Sequence, residues 1–309
     1  MGMKHVVSVS LGAKSGDFTR DITLDGQRLR LAREGMDGDM ERARARIQAL
    51  DGHVDALGLG GIDIYVYVAG QQLVVGDGLR LAQCATQSPM VDGSGLKNTL
   101  ERRVVTFLAA QGHITAQSKV LMVSALDRFG MAEAFVQMGC PCIFGDLIFN
   151  IGLDFPLAAL ADIEELAQKY RKRLLTVPFH LLYPTGAAQD KSEADPRYAH
   201  YYHDADIIAG DRHLIMRHLP PDIHGKGIVT NTTRPDTVAR LAGAGAAWLA
   251  TTTPEMDGLS GATNLMEAAL VALMAKPLPE ITSADYDTWA DKLGWRGAFQ
   301  RLHSHPSEN

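Results

Sequence analysis

The sequence predicts a protein of two α/β domains, on three observations. From Lys119 onward short apolar strands alternate with amphipathic helices, the first third mixes strands, hairpins and helices, and 309 residues are enough for two hydrophobic cores. Alternation of this kind implies a parallel sheet covered on both faces, because each crossover helix must pack back onto it. The second domain is therefore expected to be a Rossmann-like doubly wound parallel sheet. The expected boundaries are 1–115 for an N-terminal α/β domain, 116–275 for the Rossmann-like domain and 276–309 for a C-terminal helical tail.

Taken in order, HVVSVSL reads as a strand and ITLDGQRLRLA as a hairpin turning at Asp-Gly; MERARARIQAL is a helix and VDALGLGG a strand. IYVYVAGQQLVV is a second hairpin, LRLAQCAT a helix and SPMVDG a strand. Within GLGGID, Gly58, Gly60 and Gly61 precede Asp63 but lead into a strand, so a tight bend explains them better than phosphate binding. The amphipathic LKNTLERRVVTFLAAQ is a long helix. Beyond it the strands are VLMVSAL, CPCIFGD, RLLTVPF, DADIIAG, GKGIVTN and AWLATTT, with MAEAFVQMG, AALADIEELAQKYRK, PDTVARLAGAG and ATNLMEAALVALMA as helices. Residues 185–204 are polar and broken by Gly and Pro, which fits a plain surface loop or a lid; His200, Tyr201, Tyr202 and His203 in it are expected to face solvent. The tail HSHPSEN is expected to fray.

Composition excludes several classes of function. A formal charge of −6, from 36 acids and 30 bases without a long block of either sign, leaves no basic stripe to follow a nucleic-acid backbone. No apolar run approaches the ~18 residues of a membrane helix. The start MGMKHVVSVSLG enters a strand without a signal-peptide layout, so a cytoplasmic protein is expected. Of three cysteines, Cys140 and Cys142 share a strand face and lack a second ligand pair, so they read as structural thiols and no metal is expected. HExxH, GxSxG and GxxxxGK[ST] are all absent.

Three constellations remain. In KVLMVSALDRFGMAEAFVQMGCPCIFGD, a strand, turn, helix and strand end on an acid, the order of a nucleotide-binding unit. The turn leaves helix N–H groups for an anion, yet it holds only Gly130 and sets Asp127 where phosphate is repelled. Arg128 offsets that acid, Ser124 is a donor at the strand end, and Asp146 stands near the ~20-residue spacing of a ribose-binding carboxylate, which favours NAD over NADP. The same residues also read structurally, with Asp127 as a helix cap and Asp146 as a strand end. In VDGSGLKNTLERR, Asp92, Ser94, Lys97 and Asn98 fall within one turn, where Lys97 suits proton exchange with a hydroxyl or carbonyl. The bland alternative is a first turn capped by Ser94 with a solvated lysine. Finally, the strand ends at Asp211, Asn231 with Thr232, and Thr252 with Thr253, together with Ser260, Thr263 and Asn264, would share one donor-rich rim if the sheet is parallel. Such residues are also ordinary helix caps.

The stretches VDGSGLKNTLERR, ALDRFGMAEA, FGDLIFN, LLYPTG, ADIIAGDRHLI, VTNTTRPDTVARL and TTTPEMDGLSGATNLMEA, with KHVVSVSLG and GLGGIDIY, resemble a bacterial family labelled quinate 5-dehydrogenase. The resemblance implies nicotinamide-dependent oxidation of a ring hydroxyl, with a Rossmann domain joined to a substrate domain. The NVTxPxK-like segment and the Gly-rich cofactor loop of quinate and shikimate dehydrogenases are absent, so no catalytic position carries over from them. The resulting expectation is an NAD(P)-dependent oxidoreductase of a small polyol or hydroxy acid, working in a cleft between its domains. Lys97 and Asp92 would be catalytic; Ser94, Asn98, Tyr183, Thr185, Asp211 and Asn231 would bind substrate. Ser124, Asp127, Arg128, Gly130, Asp146, Thr232, Thr252, Thr253 and Asn264 would hold NAD or NADP. Non-redox alternatives are a lyase or transferase of a phosphorylated or nucleotide-like molecule, or a small-molecule sensor. The expected partner is a small molecule, with no nucleic acid and no membrane, and a homo-oligomer is compatible with the sequence.

Overall fold

A computed structural model describes residues 2–177, 194–256 and 259–302. The first elements are β1 (Lys4–Ser10), β2 (Phe18–Leu24), β3 (Gln27–Gly35), α1 (Met40–Leu50), β4 (Ala56–Gly60), β5 (Tyr65–Val68), β6 (Gln71–Val74), α2 (Gly76–Ala82), β7 (Met90–Val91) and α3 (Ser94–Ala110). There follow β8 (Val120–Met122), α4 (Phe129–Gln137), β9 (Cys142–Phe144), α5 (Asp146–Ile151), α6 (Leu160–Thr176), α7 (Ala199–Asp204), β10 (Ile207–Ala209), α8 (Arg212–His218), β11 (Gly227–Thr230) and α9 (Pro235–Gly243). The chain closes with β12 (Trp248–Thr251), β13 (Glu255–Met256), β14 (Leu259–Ser260), α10 (Thr263–Met274), α11 (Ser283–Lys292) and β15 (Ala298–Arg301). No helix among the described residues is long and apolar enough to cross a membrane.

These elements form two compact units, one of Met1–Thr99, Gln168–Gln189 and Gly261–Trp295, the other of Leu100–Ala167, Asp190–Ser260 and Arg296–Asn309. Residues 261–295 thus count with the first unit, and the segment 276–309 read as a helical tail contains α11 in one unit and β15 in the other.

The first unit is built on a sheet of order β2-β3-β1-β4-β7, in which β2 is antiparallel to β3 and the remaining pairs are parallel. Its central strands are near-continuous apolar runs, as strands covered on both faces must be: all five residues of β4 and the last five of β1 are buried. The β2–β3 hairpin turns at Asp25 and Gly26, both at positive φ (49° and 74°), the geometry that Asp-Gly favours. Helix α10 lies against β1, β3, β4 and β7. Gly58 and Gly60 make that approach possible, because a Cβ at either would fall within about 3 Å of Asn264 at the start of α10. Of the three glycines read as a bend, only Gly61, at φ +73°, turns the chain; the other two are contact positions.

The second unit holds a sheet of order β15-β12-β11-β10-β8-β9. Its five parallel strands, counted along the chain, stand in the order 2-1-3-4-5, and β15 adds antiparallel to β12. The order reverses between β8 and β10. Crossovers of one hand leave that point toward opposite faces, and a crevice opens beyond the carboxyl ends of the two strands. This is the doubly wound parallel sheet expected from the alternation of strands and helices.

Two local expectations are corrected. RLLTVPF is no strand at its start, because α6 continues to Thr176 as LADIEELAQKYRKRLLT, with Ile163 and Ala167 buried four apart on one face. In the segment read as a loop, residues 199–204 form α7, which buries Tyr201 and Tyr202 while His200 and His203 remain exposed; residues 185–193 lie outside the described residues.

Gly58→Ala is expected to cost about 1–3 kcal/mol, since its Cβ would sit 2.9 Å from Asn264 Oδ1 and 3.0 Å from the Asn264 carbonyl oxygen. Urea unfolding checks this against Gly243→Ala, whose Cβ meets open space. Equal midpoints for the two variants would contradict close contact of α10 with the sheet.

Candidate functional site

In the first unit the turn from β7 into α3 gathers ionisable groups. Asp92 is buried, and its carboxylate accepts the N–H groups of Ile64 (2.5 Å), Tyr65 (2.9 Å) and Ser94 (2.9 Å). Asp92, expected to be catalytic, braces the hairpin to the helix, with three backbone donors on its two oxygens. Gly93 follows at φ +95°, where a Cβ would meet the Asn264 nitrogen at 2.8 Å. Ser94, Lys97 and Asn98 do fall on one turn of α3, as their spacing predicted. Lys97 Nζ lies 3.7 Å from Asp63 Oδ2, and its side chain is only 12% exposed.

Sequence reasoning missed the most deeply buried acid of this cluster. Glu267 of α10 is buried and its Oε1 accepts the hydroxyl of Tyr286, from α11, at 2.5 Å. Gly95 makes room for it, because a Cβ there would be 2.5 Å from Glu267 Oε1. Its other oxygen, Oε2, is buried without a partner. Burial pushes the Glu267 carboxyl up to about 8 and the Asp92 charge adds to this, while the Tyr286 hydroxyl, the Gly93 N–H and Lys97 pull the other way. The Tyr286 phenol is raised by burial and by the Glu267 charge; Tyr67 is raised by burial and by Asp92. A signal for Glu267 was available: it is the single acid in TNLMEAALVALM, a helix otherwise suited to complete burial.

In the second unit the expected residues meet at the crevice between β8 and β10. Arg128 precedes α4 with its side chain 5% exposed, and its guanidinium donates to Glu101 Oε1 (2.8 Å) and Asp211 Oδ2 (2.9 Å), with Asp127 at 3.7 Å. Asp211 caps α8 by accepting from the His213 N–H and also accepts from Asn231 Nδ2. Ser124 Oγ accepts the Asp211 N–H at 3.1 Å. Asn231 in turn takes the Arg212 N–H on its side chain and the Thr253 N–H and hydroxyl on its carbonyl, with the Thr252 hydroxyl at 3.5 Å. The strand ends therefore do share one rim, as a parallel register requires, but they spend these donors on one another. Thr232 is half-buried beyond Asn231, and Gly130 is buried inside α4. Glu101 and Arg212 were missed. Glu101 was legible as an acid on the same stripe of α3 as the buried Val104, Val105 and Leu108.

Two cofactor expectations change with this geometry. Arg128 is committed to internal carboxylates rather than to a phosphate. Asp146 is buried, and its oxygens accept the N–H groups of Ala125 (2.9 Å) and Leu126 (2.8 Å) instead of facing a ribose, which removes the reason for favouring NAD. Burial raises its carboxyl to about 6 against those two N–H groups. A dinucleotide pyrophosphate does not fit this turn: two of its amides are occupied by Asp146, and Glu101, Asp127 and Asp211 lie within 4 Å of the Arg128 guanidinium. Asn264 belongs to the first unit, where its Oδ1 accepts the Ser8 hydroxyl at 2.6 Å. Tyr183 and Thr185 lie outside the described residues. Among the described residues no group of three or more His, Cys, Asp or Glu is arranged to hold a metal.

Fold and site define a two-unit α/β protein with a mixed five-stranded sheet and a doubly wound parallel one. Residues 95–302 match the model described as domain of unknown function DUF8754, and the chain belongs to that family; residues 5–92 match that of a second domain of unknown function, DUF8753. A search of curated proteins finds no match. Similar solved structures include a hetero-hexameric glutamate dehydrogenase from Thermus thermophilus (13% identity, 94% of this chain and 74% of that chain covered, TM-score 0.45). They also include an NAD-dependent malic enzyme from Thermotoga maritima (11%, 96% and 85%, 0.35) and a glucose-galactose binding protein from Geobacillus stearothermophilus (9%, 99% and 100%, 0.36).

Arg128→Met should destabilise the chain by about 3–5 kcal/mol in chemical denaturation, because it removes the buried cation that Glu101 and Asp211 share. A loss below about 1 kcal/mol would mean that the pair is solvated. Glu267 gives a prediction in pH. Its folded proton affinity exceeds that of the unfolded chain, whose carboxyl titrates near the ordinary 4.5, so stability should fall as pH rises from there to about 8 and then level. Around it stand Asp92, Lys97, Tyr286, Tyr67 and Asp63. Glu267→Gln should flatten that slope in thermal melts, and an unchanged slope would show that another group causes it.

Proposed function

We propose that the chain is an enzyme that moves a proton on a small polyol or hydroxy acid, a class that includes quinate and shikimate, with Lys97 as the group that meets the substrate. The observation supporting this reading is the setting of Lys97: a largely covered lysine beside Asp63, on the helix turn against which the Glu267 carboxyl is packed. Asp63 lies beside the Lys97 ammonium, which is placed to donate a hydrogen bond to a substrate oxygen. Asn98 and Ser94, on the same turn, are placed to help orient the substrate.

Proton transfer of this kind serves a lyase or transferase, and that is the first reading. A phosphorylated substrate is disfavoured at the β8–β10 crevice by its surplus of acids. The second reading is a dehydrogenase using NAD or NADP, which would supply the hydride acceptor. It is favoured by the 2-1-3-4-5 strand order of the second unit, since open sheets of that order hold nucleotides at the switch point. It is opposed by the poor fit of the turn after β8.

A panel of hydroxy acids and polyols, including quinate and shikimate, incubated with and without NAD(P)+ and followed by NMR in deuterated buffer, tests both readings. Lys97→Met should lower kcat/KM by about 10²–10⁴-fold with the fold intact by circular dichroism. Full activity in that variant removes Lys97 from the mechanism. Saturable fluorescence enhancement of NADH would reverse the order of the two readings. Ligand-induced thermal shifts without any turnover, unchanged in Lys97→Met, would leave a binding protein.

A further inference from the structure

We infer that Asp146 is the resident anion of the second unit: its carboxylate fills the place where a sheet of this strand order would grip a ligand phosphate, and so closes the turn after β8 to phosphorylated molecules. The argument starts from the amides. Where the chain leaves β8 for α4 its N–H groups point into the crevice, and consecutive amides in such a turn form a concave anion site. Here the Ala125 N–H meets Asp146 Oδ2 at 2.9 Å and the Leu126 N–H meets Oδ1 at 2.8 Å, one donor to each oxygen. The carboxylate enters from the first residue of α5, immediately after the neighbouring strand β9, and is 4% exposed.

The remaining groups of the crevice are arranged consistently with an internal anion. Ser124 Oγ is turned to the Asp211 N–H, and the Arg128 guanidinium is held by Glu101 and Asp211. Asp127 adds a further acid beside them. An entering phosphate would have to displace Asp146 from two amides, and the Arg128 guanidinium of the same turn already has three other carboxylates beside it. The strand order of a nucleotide sheet is thus retained while its phosphate grip is used for the cohesion of β8, β9 and the helix that follows.

Chemical rescue tests this, and its outcome does not depend on the role proposed for Lys97. Asp146→Ala should lower Tm by on the order of 5 °C, as expected from losing two charge-assisted hydrogen bonds. Formate should recover part of that loss in Asp146→Ala while leaving wild type unchanged at matched ionic strength, and inorganic pyrophosphate should stabilise the variant more than wild type. Wild-type chain stabilised by pyrophosphate or NADH as much as the variant would overturn the inference, as would an Asp146→Ala chain that melts like wild type and ignores both anions. A readout on the native chain guards against a variant that does not fold: the backbone amide resonances of Ala125 and Leu126 should shift together with a midpoint near pH 6. Amides that do not move between about pH 4 and about pH 8 would equally sink it.

Discussion

A single guanidinium holds the crevice of the second unit together. Arg128 reaches one carboxylate on α3 and another at the start of α8, and thereby joins three segments that are far apart in the chain. Taking those three charges out of water is costly, and their mutual hydrogen bonds, with the His213 N–H and the Asn231 amide on Asp211, offset it. The consequence for function is larger than the net stability. Arg128, the arginine of the turn after β8, has its two terminal nitrogens engaged by the protein itself, and the hydroxyl and amide side chains around it turn toward each other.

The first unit solves the same problem of buried acids differently. No guanidinium comes to Glu267; its carboxyl is instead held by a tyrosine hydroxyl at 2.5 Å and a glycine amide, and burial favours its protonated form. An acid that keeps its proton is neutral and tolerates an apolar helix, whereas the Asp92 oxygens accept three backbone N–H groups. Two carboxyl groups with opposed environments, beside a partly covered lysine, are the arrangement from which proton-transfer sites are made.

Much of the fold was legible because it rests on local patterns. Continuous apolar strands such as VLM and IIA, separated by helices of clear periodicity, specify a parallel sheet, and Asp25-Gly26 specifies its hairpin. RLLT misled because a short apolar run carries no period of its own; only the preceding turns of α6, with Ile163 and Ala167 on the buried side, assign it to a helix. The sites were legible as neighbourhoods but not as roles. Spacing brought Lys97 to Ser94 and Asn98 correctly, and strand ends to a common rim. It does not reveal that Asp146 turns back onto residues 125 and 126, or that Glu101 and Glu267 reach into the interior from distant helices, since those partners are set by tertiary packing. An isolated acid on an apolar helix face was the one available clue to both glutamates.

The last strand of the chain has a further implication. β15 lies beside β12 with Ala250 opposite Phe299, and the Phe299 ring stacks on His113 at 4.3 Å. Without it, the backbone groups of β12 that β15 satisfies would be open to pairing with any extended segment, the usual route to sheet-to-sheet aggregation. Shortened forms ending before residue 298 would lack β15 and keep that sheet margin uncovered.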